Sequence, residues 1–381
     1  MRHQNSVFHG LLKHVPWWCF DKLVDEHRSD ARVRRLTTKS QFVALLYGQL
    51  SGAASLREIE TAVSSHGARL YHLGAREVSR STLADANAQR PHAVFCGVFA
   101  ALVGQAGRRL RRSTSEAVRL IDSTGIRLSG LASDWARFST GVSGAKAHIV
   151  YDPDAQTPLY LEVTPARVND IVAARAMPIE PGATYVFDLG YYDFAWWARL
   201  DDAGCRIVTR LKANTPLSHI EERPLPEGSG LAYDRVGFLP PRQASSRKNP
   251  FQEPVREIGV VLESGKALRI VSNDLDAPAD EIAALYKRRW AIELFFRWVK
   301  QTLKIKHFIG RSENAVRIQI AVALIAYILL SIAKDAIRIV DGVLAFARLI
   351  RANLMQRRDI ETLLGPPKKI PINANQLALN L

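Results

Sequence analysis

The sequence predicts an α/β protein: an all-α N-terminal region, then a mixed sheet with helices on its faces, the sheet domain being interrupted by a β-rich insertion. Three observations lead to this expectation. Helical apolar periodicity dominates the first hundred or so residues. After the basic run Arg108, Arg109, Arg111 and Arg112 the period becomes strand-like. Between residues 214 and 272 a stretch rich in Pro breaks the later alternation of strands and helices.

The N-terminal region spans residues 1–115. Phe42, Val43, Leu45, Leu46 and Leu50 recur at helical spacing before Gly52, and Ser55-Leu56-Arg57-Glu58 is a capping-box pattern that starts another helix. Gly67 and Gly74 then mark a turn region, and a further helix starts at Ser79 and ends at Pro91. This is a possible helix-turn-helix with Ser79 and Arg80 at the start of its second helix, where short polar and Arg side chains reach phosphates and base edges. An ordinary helical pair with a solvated face has the same pattern.

The sheet domain begins at residue 116, and its first part runs to 213. Ala117 to Asp122 reads as a buried strand, and Lys146 to Tyr151 with Leu159 to Thr164 as a hairpin around Asp152-Pro153-Asp154. Helical text from Asp170 to Met177 leads to the strand Thr184 to Asp188. A short helix with Trp196 and Trp197 precedes the strand Arg206 to Leu211. Three strands in a meander followed by strands alternating with helices give a mixed sheet.

The insertion, 214–272, contains Arg242, Arg247 and Lys248 among its Pro residues and is expected to form an extended basic surface outside the core. Residues 273–340 return to strong helix, and 341–381 read as a helical tail with a loose end after Gly365-Pro366-Pro367. Ile318 to Ala333 is the most apolar run; its 16 residues include Gln319 and fall short of the ~18 to 20 of a bilayer span, which favours a buried helix.

Charge narrows the partner. The 381 residues carry 52 Lys and Arg against 37 Asp and Glu, a net charge of +15, and residues 1–121 alone hold 18 basic against 9 acidic side chains. Such an excess points to a polyanion, with the N-terminal third as the first candidate for a nucleic-acid grip. Three cysteines, Cys19, Cys96 and Cys205, exclude a disulfide framework and a cysteine zinc site and suit a reducing compartment. Met1 to Gly10 is polar and no apolar segment follows, so a cytoplasmic location is expected.

Chemistry is carried by acids. Asp122 and Asp188 each end an apolar strand and precede a small or turn-prone residue, and a carboxylate there projects from a rigid sheet edge. A third acid, Glu293, lies in the helical text from Pro278 to Lys304. At ~100° per residue, Tyr286, Arg289, Glu293 and Lys300 share a stripe roughly 60° wide, opposite Ile292, Phe295 and Val299. A solvated salt-bridge face, with Glu293 paired to Arg289 or Arg297, has the same periodicity.

These residues also resemble a known family. Tyr286, two residues, Arg289, three residues, Glu293, six residues, Lys300 is similar to the YREK signature of the bacterial insertion-sequence-four transposases, which include the transposon-five enzyme. Trp290 after the Arg is similar too, while Asp122-Ser123-Thr124 and Asp188-x-Gly190-Tyr191 resemble the first and second catalytic acid motifs. Leu189 stands where that family often has Arg, and the insertion lacks the Trp that the family commonly uses to hold a flipped base.

The resemblance implies a ribonuclease-H-like catalytic domain with Asp122, Asp188 and Glu293 as catalytic and metal-binding acids for two Mg²⁺ ions, Mn²⁺ substituting. Two ions stabilise both the entering and the leaving oxygen of an in-line displacement, and carboxylates are the hard ligands they prefer. Tyr286, Arg289, Trp290 and Lys300 would contact DNA beside the scissile bond, Trp290 offering a face for an unstacked base. The implied activity is transposition: binding of terminal inverted repeats of an insertion sequence, DNA cleavage and strand transfer by cut and paste, by a homodimer on paired double-stranded ends. A ribonuclease-H-like nuclease or resolvase, or a non-catalytic DNA-binding derivative of a transposase, is the alternative.

Overall fold

In the computed structural model, which describes residues 6–31, 33–110, 117–128, 134–139, 142–225, 228, 230–262, 265, 267–302, 310, 312–337 and 342–363, the elements between Val7 and Leu110 are all helical. They are α1 (Val7–Leu12), α2 (Trp17–Glu26), α3 (Thr38–Ser51), α4 (Leu56–Ser64), the single turn α5 (Gly67–Leu70), α6 (Arg80–Gln89) and α7 (His92–Leu110). Local chemistry sets their ends. Thr37 and Ser55 accept from the amides of Ser40 and Glu58, Ser79 accepts from Thr82, and α3 stops at Gly52, whose φ of +79° suits a residue without Cβ. Arg111 and Arg112 of the basic run lie outside the described residues.

The sheet is built from β1 (Val118–Leu128), β2 (Arg137–Ser139), β3 (Val142–Asp152), β4 (Thr157–Pro165), β5 (Thr184–Phe187), β6 (Arg206–Arg210), β7 (Ser218–Glu222), β8 (Leu231–Phe238), β11 (Val255–Val261) and β12 (Ala267–Ser272). A separate two-stranded ribbon pairs β9 (Arg242–Ala244) with β10 (Arg247–Lys248). The large sheet runs β2-β3-β1-β5-β6-β12-β11-β8-β7, with β4 also on β3. Its β1–β5 and β5–β6 ladders are parallel and its other ladders antiparallel.

Two findings differ from the sequence reading. Strand β1 does not stop at Asp122 but continues to Leu128, because its pairing with β3 carries on after the parallel ladder to β5 ends at Ile121 and Phe187. The stretch 214–272 is rich in strands but is not a surface apart from the core: β12 pairs with β6, and β11, β8 and β7 extend the same sheet. Local patterning shows that such strands exist and leaves their pairing partner open.

Helices α8 (Asp170–Ala176) and α9 (Phe194–Asp202) cover one face, packing on Ile121, Tyr185, Phe187 and Ile207. The opposite face, with Leu120, Val186 and Val208, takes α10 (Ala279–Arg288), α11 (Trp290–Thr302) and α12 (Glu313–Ala336). α12 is long and apolar enough to span a membrane by length and composition, yet 89% of its most apolar window is buried within the protein. It is the shared core of sheet and N-terminal helices. Asn314 of α12 donates to the carbonyl of Asn87 at 2.9 Å and to that of Arg90, and accepts from the amide of His92, locking the α6–α7 junction onto it. α13 (Val343–Asn353) packs against α12 and α3, where Arg351 donates to the carbonyl of Leu50; residues 364–381 of the tail lie outside the described residues.

Candidate active site

Residues two apart on a strand share a face, and this alternation places the acids. Asp122 follows Leu120, Asp188 follows Val186 and Arg210 follows Val208, all on the α11 face of the sheet. Because the β1–β5 ladder ends at Ile121 and Phe187, Asp122 and Asp188 come next on adjacent parallel strands. Thr209 donates its hydroxyl to the carbonyl of Phe187 at 2.9 Å, fixing the end of β5. Beyond it the chain turns sharply: Asp188 accepts from the amide of Gly190 at 2.8 Å, opening the 3-10 turn Leu189–Tyr191.

Glu293 arrives from above. The helical text from Ala279 to Thr302 forms two helices, not one, with Arg289 in the turn between them; its amide bonds to the carbonyl of Tyr286 and its carbonyl accepts from Ile292, both at three-residue spacing. The break aims the Arg289 guanidinium at the acids, 2.5 Å from Glu293 and 3.5 Å from Asp122. Ile292, Phe295 and Val299 are buried on the other side, as the helical stripe predicts.

Electrostatics mark Asp122 as the strained member. Burial is the main cause that lifts its pKa to about 6; Asp188 and Glu293 add to the rise, while the Ser123 amide and Arg289 oppose it. Burial works against the charge of Arg289, yet Tyr286, Glu293 and Asp122 together raise its pKa. Tyr286 is buried, and its pKa is raised by burial against the lowering pull of Arg289 and Arg210. Among the described residues the Nε atoms of Arg210 and Arg289 are buried without a hydrogen-bond partner, and the buried Tyr191 hydroxyl leans on Ser123. The Tyr191 hydroxyl faces Asp122, Asp170 and Asp188.

The structure therefore brings together Asp122, Asp188, Glu293, Tyr286 and Arg289. Trp290 adjoins them at 52% exposure, with the Arg297 guanidinium 5.8 Å from its ring centre. Lys300 lies seven residues beyond Glu293 on α11, about 10 Å along the axis. Ser79 and Arg80 are exposed at the start of α6, far along the chain on the helical region. Among the described residues no three acid, His or Cys side chains are gathered closely enough to hold one ion as they stand, because the Arg289 guanidinium sits between Asp122 and Glu293. The donor set still fits a divalent metal: hard carboxylate oxygens, one with a pKa raised by burial among like charges.

Other acids have structural partners. Asp152 pairs with Arg119, Asp154 with Arg288, and Asp193 caps α9 and pairs with Arg175. Buried His148 bonds to Thr164. Sequence reading missed Arg210 and Asp170. The one available signal for Arg210 is its position at the end of a strand, like the two Asp residues; Asp170 has the sequence appearance of an ordinary first-turn helix residue.

A mixed sheet with two acids at adjacent strand ends and a third on a covering helix is the arrangement of a DDE enzyme core, and residues 113–329 match the family described as Transposase DDE domain. The chain belongs to that family and is a transposase by class. Residues 3–76 match a Domain of unknown function (DUF4372). The chain is 43% identical to "Putative transposase y4zB" of Sinorhizobium fredii over 76% of its length and 81% of the relative's. It is 29% identical to "Probable transposase for insertion sequence element IS5377" of Geobacillus stearothermophilus, over 70% of each chain. A solved structure described as a piggyBac transposase synaptic complex with hairpin DNA is similar at TM-score 0.47 and 12% identity, covering 97% of this chain and 81% of that one, a likeness too distant to carry a conclusion.

Proposed function

We propose that this protein is an insertion-sequence-four type transposase that binds the terminal inverted repeats of its own element and carries out Mg²⁺-dependent DNA cleavage and strand transfer. The observation that carries the reading is the meeting of Asp188, Glu293 and Arg289 around Asp122, which is held at a raised pKa. Three acids crowded in a half-buried site are costly unless a cation is shared among them.

Asp122, Asp188 and Glu293 would hold the metal, Mg²⁺ or Mn²⁺, whose chemistry is to polarise phosphate oxygens and stabilise entering and leaving oxygens. The chain's own residues do the rest. Arg289, released from Asp122 when the acids gain another counter-charge, takes a phosphate oxygen beside the scissile bond, and Arg210 and Tyr286 line the same wall. Lys300 extends this grip along the backbone. Trp290, half-exposed beside the acids, stacks on an unpaired base. Ser79 and Arg80, at the N-terminus of α6, read the transposon end from the N-terminal helices, and a homodimer pairs two ends.

The test is incubation of the full chain with DNA carrying the repeats that flank its gene. Mg²⁺-dependent cuts at the repeat boundary followed by joining to target DNA are expected, and chelation stops both. Cutting without joining identifies the nuclease reading, and absence of metal-dependent cutting overturns the proposal.

A further inference from the structure

Behind the acids, on the opposite face of the sheet, lies a second polar cluster that the chemistry above leaves unused. Ser123 points away from Asp122, as strand alternation requires, and donates its hydroxyl to Asp170 Oδ1 at 2.9 Å. Lys146 of β3 donates to the same oxygen at 3.0 Å and to the carbonyl of Val168 at 3.0 Å. His148 Nδ1 stands 3.7 Å from that oxygen. Lys146 and Asp170 are only 24% and 21% exposed at the side chain, so the pair is not an ordinary solvated surface bridge.

The other oxygen of Asp170 faces the second strand end. A Cβ placed on Gly190 would stand 3.2 Å from Asp170 Oδ2 and 3.0 Å from Asp188 Oδ1, so Asp170 lies against Gly190 on the side where a side chain would project. The Ser123 amide donates to Asp122 Oδ1 at 2.7 Å, and the Gly190 amide donates to Asp188 Oδ1 at 2.8 Å. Hydrogen bonds therefore link Asp122 through Ser123 to Asp170 and link Gly190 to Asp188, with Asp170 packed against Gly190 between them. These contacts span the fork where β1 stays with β3 while β5 turns away, the gap that sets how far apart the two acids stand.

We propose that Asp170, anchored by Lys146, is a positioning residue that fixes the separation of Asp122 and Asp188 and so tunes their affinity for a divalent cation. Asp170 acts through Ser123 on one strand end and through Gly190 on the other. The proposal rests on the reading of Asp122 and Asp188 as metal ligands. Partners one step removed from a metal typically alter its affinity 10- to 100-fold, because they hold the ligands in place.

The experiment is titration of the full-length chain with Mn²⁺, bound ion being followed by electron paramagnetic resonance, with thermal unfolding as a check on folding. Asp122→Asn should weaken binding strongly. Ser123→Ala removes no carboxylate yet should weaken binding about tenfold. Asp170→Leu with Lys146→Met removes both charges and the acceptor for Ser123, so a merely structural ion pair predicts recovery of both melting temperature and Mn²⁺ affinity. Positioning predicts recovery of melting temperature with affinity still about tenfold down. If Ser123→Ala and the double variant bind Mn²⁺ like wild type while Asp122→Asn does not, this inference alone is overturned. If Asp122→Asn binds like wild type, or wild type binds none, the ligand reading falls and the inference with it.

Discussion

Two groups of acids in this protein differ in how their charge is matched. In the extended part of the sheet, Arg256 donates through Nε and Nη2 to both oxygens of Asp234, at 2.8 and 2.6 Å, and Glu257 accepts from both Arg269 and Tyr233. Each acid there is matched by its own guanidinium. At the candidate site the Arg289 guanidinium is divided between Glu293 and Asp122, with Asp188 close to Asp122. Among the described residues each acid of the first arrangement has a guanidinium to itself, whereas in the second Arg289 is shared. The difference separates acids that hold a fold from acids poised for an external cation.

The largest effect should come from neutralising the undermatched acids. Asp122→Asn, Asp188→Asn or Glu293→Gln should lower DNA cleavage about 1,000-fold or more, the several kcal/mol that metal stabilisation of charge supplies. Gel assays with end-bearing DNA measure this. Asp152→Asn, whose side chain bonds Arg119 and the amides of its own turn, should cut at the wild-type rate.

For the matched acids the effect should appear in stability instead. Arg256→Met leaves Asp234 buried and unpaired and should cost about 3 to 5 kcal/mol in denaturant unfolding, whereas Arg256→Met with Asp234→Leu should recover most of it. An unchanged midpoint in the single variant would erase the contrast between the two regions.

A smaller effect follows from the pKa of Asp122. Because its folded value, about 6, lies above the unfolded value, the folded state binds the proton more tightly. Its contribution is complete below about pH 4 and is lost as pH rises through 6, on the order of 2 to 3 kcal/mol in metal-free protein. Unfolding of wild type and Asp122→Asn across pH 4 to 8 should show this loss in wild type alone. Smallest of all, Trp290→Ala should change stability by only about 0.5 kcal/mol, since half the indole is exposed, while impairing the second-strand cut after a normal first nick.

How far these regions were legible in the sequence follows from the range of the interactions that build them. Asp122 and Asp188 stand out because each follows a run of apolar β-formers, and Glu293 because helical spacing puts it among Tyr286 and Arg289. The hairpin around Asp152 and the helices starting at Ser55 and Ser79 rest on turn and cap chemistry, which is local. The break at Arg289 has no Pro or Gly to signal it; packing of α10 and α11 decides it. Likewise Arg210, Lys146 and Asp170 acquire meaning only when strands pair, since Lys146 lies on β3 opposite Gly125 of β1 and meets Ser123 only at the Asp170 oxygen that both bond. The same holds for β12, whose pattern predicts a strand but whose place beside β6 depends on the whole sheet.

The claim that the acids sharing Arg289 are left undermatched, and that a divalent cation satisfies them, is tested most directly by thermal unfolding of wild type and Asp122→Asn at neutral pH, with and without Mn²⁺. Without metal the variant should melt higher than wild type, because it removes an ionised carboxylate from a half-buried acidic cluster. With Mn²⁺ the wild type should gain stability and the variant should not, since an ion that binds only the folded state stabilises it in proportion to site occupancy. A variant that melts lower without metal and gains as much as wild type with it would contradict the account.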